Sequence, residues 1–213
     1  TGGEIIISDS SSIPNPLISL SGISGGFEMS SEGSYGALQV GGSTFTVPGV
    51  SLSGGTVTVQ MNTVDEEKSG DFNLGGATAE TLTFGAGPYL RVDVEGASLE
   101  VEDGTGGTLG TLSGDFAFEQ SGGVTKVGMN NVTVSVEVSG SAGSLEQGKG
   151  AMLVTESGVA GTLEGQLVGA LEGRLVLRFN NTGSVVDQTL KVGGESVGII
   201  FSDTEDVFLV SLL

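Results

Sequence analysis

The chain has 213 residues, 26 Asp+Glu against 7 Lys+Arg, a net charge of −19, and no His, Cys or Trp. Without His or Cys there is no Ser-His-Asp triad, thiol nucleophile, imidazole base or zinc site of the usual N/S type. The acidity opposes nucleic acid and anionic membranes, which both require a basic face. Carboxylate chemistry, hard-cation binding, protein–protein contact and a structural role remain.

Gly accounts for 39 residues and Pro for only 4, with no three-residue period, so collagen is excluded. An apolar share of 37% opposes disorder. Val, Leu and Ile set among Thr and Ser are the composition of short strands between tight turns. With nine Phe and two Tyr, a thin elongated sheet fits better than an aromatic-centred globule.

In chain order, the first strand signal is the β-branched run Glu4-Ile5-Ile6-Ile7-Ser8. Gly25-Gly26, Gly41-Gly42 and Gly54-Gly55 then punctuate the chain before the alternating run Thr56–Met61. The acidic turn Asp65-Glu66-Glu67 and the pair Gly75-Gly76 follow. Next come the alternating Leu90–Val94 and the acidic stretch Glu100-Val101-Glu102-Asp103. The run Gly104–Gly110 invites a phosphate-loop reading, which fails because no basic residue and no helix follow. Gly114–Glu119, the turn Ser121-Gly122-Gly123 and Val124 onward predict a hairpin. Further period-two strands are predicted at Val132–Val138 and Leu175–Phe179. Asn181-Thr182-Gly183 reads as a structural turn, since Asn tolerates the left-handed conformation. Gly194-Glu195-Ser196-Val197-Gly198 matches the nucleophile elbow in letters, yet no His and no helix accompany it. The chain closes on Asp203-Thr204-Glu205-Asp206 and the apolar run Val207–Leu213. No glycine-free window keeps a helical apolar stripe and no run approaches a membrane-spanning length; the chain opens at Thr1 without a basic, apolar, small-residue leader, so the expectation is that any signal peptide is missing or already removed.

An internal repeat runs through this order. Gly36–Val40 answers to Gly150–Val154, Asn62-Thr63 to Asn181-Thr182, and Leu74-Gly75-Gly76 to Val192-Gly193-Gly194. Thr83-Phe84 then matches Ile200-Phe201, and Tyr89–Val92 matches Phe208–Ser211, the offset drifting from 114 to 119. A unit of about 115 residues divides the chain into N-terminal strands over 1–35, a first repeat over 36–149, and a second, incomplete repeat over 150–213. The expected fold is all-β: Gly-rich, mostly antiparallel strands in an elongated sandwich or solenoid-like stack.

Gly87–Val92, Leu112–Gln120, Gly158-Val159-Ala160-Gly161 and Asn181-Thr182-Gly183 together resemble the tandem β repeat modules of very large secreted bacterial surface proteins. Those proteins are acidic and often adhesin-like or calcium-binding. The resemblance spans residues 33–213 and implies an extracellular, cell-surface location. It carries over no catalytic residue.

Two candidate sites emerge. The acidic groups Asp65, Glu66, Glu67, then Glu102, Asp103, then Asp203, Glu205, Asp206 offer oxygens for Ca²⁺, although their spacing fits neither an EF-hand nor a β-roll nonapeptide. The competing reading makes them solvated turns that keep a β surface soluble. Glu100 and Glu102 on one strand face could serve a hydrolase, but the sugar-stacking Trp and Tyr such clefts use are scarce. The second candidate is assembly: Ile5, Ile6 and Ile7 at one end, Phe208, Leu209, Val210 and Leu212 at the other, form apolar strands that can add to a neighbour's sheet edge. The expectation is a non-catalytic module that assembles with copies of itself or adjacent repeats as a filament, surface layer or adhesin stalk. A Ca²⁺-dependent adhesion module is the alternative.

Overall fold

The computed structural model describes residues 3–7, 18–47, 50–102, 108–138, 141–169, 172–204 and 206–213. Period-two alternation of aliphatic with polar residues produces strands throughout, and the described residues contain no helix. The strands are β1 (Gly3–Ile7), β2 (Ile18–Ser30), β3 (Gly33–Val47), β4 (Val50–Asn62), β5 (Lys68–Phe72), β6 (Glu80–Phe84), β7 (Tyr89–Glu102) and β8 (Thr108–Ser121). They continue as β9 (Val124–Val138), β10 (Ser141–Thr155), β11 (Gly158–Gly169), β12 (Gly173–Asn180), β13 (Val186–Val192), β14 (Glu195–Phe201) and β15 (Val207–Leu212). An 11-stranded sheet runs β1-β2-β3-β4-β7-β8-β9-β10-β11-β12-β15 among the described residues, and β5–β6 and β13–β14 form two separate hairpins. All pairings are antiparallel. β1 and β15 are the two margins, so the described strands close into no barrel and coil into no solenoid.

The β8–β9 hairpin turns where the sequence places it. Gly122 and Gly123 adopt φ of 56° and 78°, the left-handed pair that a two-residue turn requires to match strand twist. Bulges recur midway along the strands. The register slips between Val94 and Ala97 on β7 and between Leu145 and Gly148 on β10, with Asn131 and Gln147 at φ of 51° and 53°. Each extra residue restores the side-chain alternation to the same face beyond the slip.

Cross-strand partners share a face, and the two faces of the sheet differ. One row reads Ala37, Gln60, Arg91, Glu119, Lys126, Leu153, Ala160, Asn180, Val207 from β3 to β15. This face carries the charges, and both hairpins fold onto it. The row beside it on the opposite face reads Leu38, Val59, Val92, Phe118, Val127, Met152, Gly161, Phe179, Phe208. It contains no polar side chain.

The core lies between the hairpins and the charged face, in two parts. Phe72, Leu74 and Phe84 cover Ala37 and Tyr89, with the Phe72 and Phe84 rings edge to face at 5.5 Å. Leu190, Val192, Val197, Ile199 and Phe201 of β13–β14 cover Ala117, Ala151, Leu153 and Ala160. Small residues on the sheet admit the hairpins. At Gly128, a Cβ would stand 2.6 Å from Val192 Cγ2 and 2.8 Å from Leu190 Cδ2, so only glycine allows this approach.

β4–β7 and β12–β15 share one arrangement, each a sheet hairpin interrupted by a folded-over pair of strands. Thr83-Phe84 and Ile200-Phe201 stand at matching places, with Phe84 and Phe201 buried in their respective clusters. Other matches shift. Tyr89 pairs with Asn62 and Val207 with Asn180, so Val207 is the counterpart of Tyr89, one residue before the Phe208 that the sequence match selects. A one-residue slip changes face: Tyr89 is 9% exposed and Phe208 78%. Gly36–Val40 lies on β3 and Gly150–Val154 on β10, whereas β11 holds the place of β3. Ser34 O accepts from Thr63 N at 2.9 Å on β3, as Val159 O accepts from Asn181 N at 2.9 Å on β11.

Candidate functional site

The margin β15 is built from six residues paired to β12, from Leu175 opposite Leu212 to Asn180 opposite Val207. Val207 packs against the second core cluster. Beyond it, Phe208, Leu209, Val210 and Leu212 are exposed, at 78%, 48%, 56% and 51%. Leu213 N donates to Arg174 O at 3.0 Å and Arg174 N to Leu213 O at 2.8 Å. Antiparallel alternation therefore points the N–H groups of Ser211, Leu209 and Val207 at β12, and those of Phe208, Val210 and Leu212 outward. Among the described residues nothing receives them. Arg178 steadies this end: its guanidinium lies 4.9 Å from the Phe201 ring centre and donates to Ile200 O at 2.7 Å. An open hollow of about 430 Å³ between Val159, Phe179, Asp206 and Phe208 continues the apolar margin. At the other margin, β1 pairs with β2 through Ile5–Leu20 and Ile6–Ser19. The side chains of Ile5, Ile6 and Ile7 lie outside the described residues.

Two buried asparagines anchor the hairpins. Asn62 Nδ2 donates to Glu66 O at 2.7 Å and Gly85 O at 2.8 Å, and its Oδ1 accepts from Val64 N at 2.9 Å. Asn180 repeats the device. Its Nδ2 donates to Ser184 O at 3.1 Å, and its Oδ1 accepts from Thr182 N at 3.1 Å and from the Thr182 hydroxyl at 2.8 Å. The sequence match sets Asn181, read there as part of a turn, opposite Asn62, one residue late.

Between the two hairpins an open cleft of about 570 Å³ has Gln60, Tyr89, Arg91, Asp93 and Glu119 on its floor. Arg91 bonds Asp93 through Nε and Nη2, both at 2.7 Å, and Glu119 through Nη1 at 3.0 Å. Its Nη2 also reaches across to Lys191 O at 2.6 Å, and Lys126 Nζ stands 3.2 Å from Glu119. Burial, the largest single influence, works to lower the Arg91 pKa, but the hydrogen bonds and charge of Asp93 together with Tyr89 and Glu119 outweigh it and raise the value. Burial, then the Glu119 charge, pushes the Tyr89 phenol up to about 12. Two cations answer two carboxylates here, so the cluster is a clasp between sheet and hairpin with neither carboxylate left to act alone. Sequence reading missed it. The available signal was the scarcity of cations, with Arg91 and Asp93 two apart on one strand.

The proposed calcium ligands are spread over the molecule. Asp65, Glu66 and Glu67 are exposed after β4, where Glu66 is 3.6 Å from Lys68. Asp203 and Asp206 are exposed between β14 and β15. Asp103, Glu205 and the side chain of Glu102 lie outside the described residues, as does most of the Gly104–Gly110 run. Among the described residues no three acidic side chains gather as a metal site. Ser196, in the elbow-like string, stands exposed on β14 just after the Gly193-Gly194 turn.

Comparison with protein-family models, curated proteins and solved structures found no match.

Proposed function

We propose that this chain is a structural, non-catalytic module of an extracellular bacterial surface assembly, and that it joins like modules by adding strands at its sheet margins. The observation that carries this reading is β15: three outward N–H groups on a strand whose apolar side chains at Phe208, Val210 and Leu212 are exposed by half or more. Long apolar edges template further strands, and proteins that stay apart blunt them with Lys, Pro or bulges. None of these stands on Val207–Leu212. The arrangement shared by β4–β7 and β12–β15 supports the choice of partner. β15 holds the place of β7, whose far side pairs antiparallel with β8. An antiparallel strand from a like module would fill the same place, and the elongated stack becomes a property of the assembly. The net charge of −19 keeps such a stack dispersed. The acidic turns serve that role in this reading.

Val210→Pro tests it. The substitution deletes an outward N–H and leaves every bond to β12 in place, as edge strands allow. Sedimentation velocity should show large species for the parent chain that are lost in Val210→Pro at unchanged strand content. Equal assembly in the two would refute the reading.

A further inference from the structure

We infer that the uncharged face of the sheet is a second interface, on which a second copy of the chain packs face to face to complete a two-sheet sandwich. This goes beyond edge addition, because it uses a different surface and predicts a closed dimer rather than an open series. Beside the row through Phe118, a second apolar row runs through Val40, Val57, Val94, Phe116 and Met129 to Val210. Beyond the bulges, Leu112, Val134, Leu145 and Leu167 form another. That Leu145 shares the face of Phe179 follows from two glycines of β11: a Cβ on Gly165 would meet Leu145 Cδ1 at 2.7 Å, and one on Gly161 would meet Phe179 Cζ at 2.5 Å.

Both hairpins lie on the other face, and among the described residues no element covers this one. Its central side chains Val92, Phe118, Val127 and Met129 are half-buried by their strand neighbours alone, whereas Val132, seated over Gly114 and Gly148 at the bulge, is buried. An antiparallel sheet of a soluble protein normally turns its apolar face to a core and its polar face to water. Here the hairpins cover the polar face and the apolar face is left.

Size selects the partner. The nine strands from β3 to β15, about 4.8 Å apart, span roughly 38 Å, and Leu112 to Phe118 along β8 spans roughly 20 Å, giving on the order of 800 Å². That is about the contribution of one partner to a stable interface. A partner must offer an equally wide, flat and uncharged apolar ladder, and the chain's own copy does so through a two-fold axis. Sheets would then stack about 10 Å apart.

The test combines mass and distance in a Val210→Pro background, which removes edge addition; Val210 ends its row at the rim of the face, where one side chain contributes little to affinity, so the two interfaces fail separately. Light scattering after size exclusion should give a dimer. Val127→Lys and Phe118→Glu should each give the monomer mass, with association weakened by about a hundredfold or more, because they bury like charges across the axis. The chain has no Cys, so Met129→Cys takes a single spin label without further change. Labelled copies should lie within about 25 Å of each other, as two sheets stacked at about 10 Å require. This readout holds even where a charged variant fails to fold. A monomeric Val210→Pro protein, or charged variants that remain folded dimers, would overturn the proposal. So would apolar-face binding to phosphatidylcholine vesicles by a protein with no intermolecular spin coupling.

Discussion

Asn62→Ala is the most informative single change to the fold. The side chain is fully buried, and its amide closes three hydrogen bonds: to Glu66 O, to Gly85 O and from Val64 N. Those partners sit where the chain leaves the sheet for the β5–β6 hairpin and where it returns. Truncation leaves two carbonyls and one N–H without their partner at a cost of about 1 kcal/mol each, so a loss of about 3 kcal/mol is expected. Asn180→Ala breaks the equivalent set, but the Thr182 hydroxyl retains Ser184 O at 3.3 Å. Its loss is expected nearer 2 kcal/mol. Urea denaturation gives the totals, and native-state hydrogen exchange gives the location. Asn62→Ala should speed exchange in β5 and β6 while β13 and β14 keep their protection, and Asn180→Ala should do the reverse. A loss under 1 kcal/mol at Asn62, or equal loss of protection in both hairpins, would refute the asparagine anchor.

Three further outcomes follow from the packing and charge pairing of the sheet and its hairpins. Gly128→Val drives a branched side chain into Val192 and Leu190, and it should destabilise by about 2–3 kcal/mol, with exchange rising in β13–β14 first. Arg91→Met strips Asp93 and Glu119, each under a fifth exposed, of their guanidinium partner; a loss of about 2 kcal/mol by urea melt is expected, with Arg91→Met/Asp93→Leu recovering part of it. The Tyr89 phenol is raised in the folded chain from 10 to about 12, so the folded state holds its proton more tightly. Its contribution is complete below pH 10 and disappears as pH climbs towards 12; stability measured over that window should fall in the parent chain and fall less in Tyr89→Phe.

Class, the presence of several strands and one hairpin were legible because they depend on local chemistry, whereas strand ends were not: β7 runs over Tyr89–Glu102, and the glycine pairs at 25–26, 41–42 and 54–55 lie inside β2, β3 and β4. Alternation at Leu90–Val94 and Leu175–Phe179, and the paired glycines at 122 and 123, each carry their own structural instruction. The apolarity of Val207–Leu213 likewise marked the strand that the fold leaves at a margin. What could not be read was the pairing of distant segments. Tyr89 and Phe208 look alike as letters, and only the partners Asn62 and Asn180 fix which face each takes. The Arg91 clasp joins β7, β8 and β13, residues up to 100 positions apart, so no window along the chain contains it. Small residues such as Ala117, Gly128 and Ala151 read as weak strand formers, and their purpose appears only when the second hairpin lies on them.

Hydrogen exchange at the margin tests the central idea most directly. In assembled protein the amides of Phe208, Val210 and Leu212 should exchange at least about a hundredfold more slowly than in dilute, dissociated protein, while those of Leu209 and Ser211 stay protected in both. Outward amides that exchange equally fast in the two samples would show that no strand docks on β15, and the account of this chain as an edge-joined module would fail.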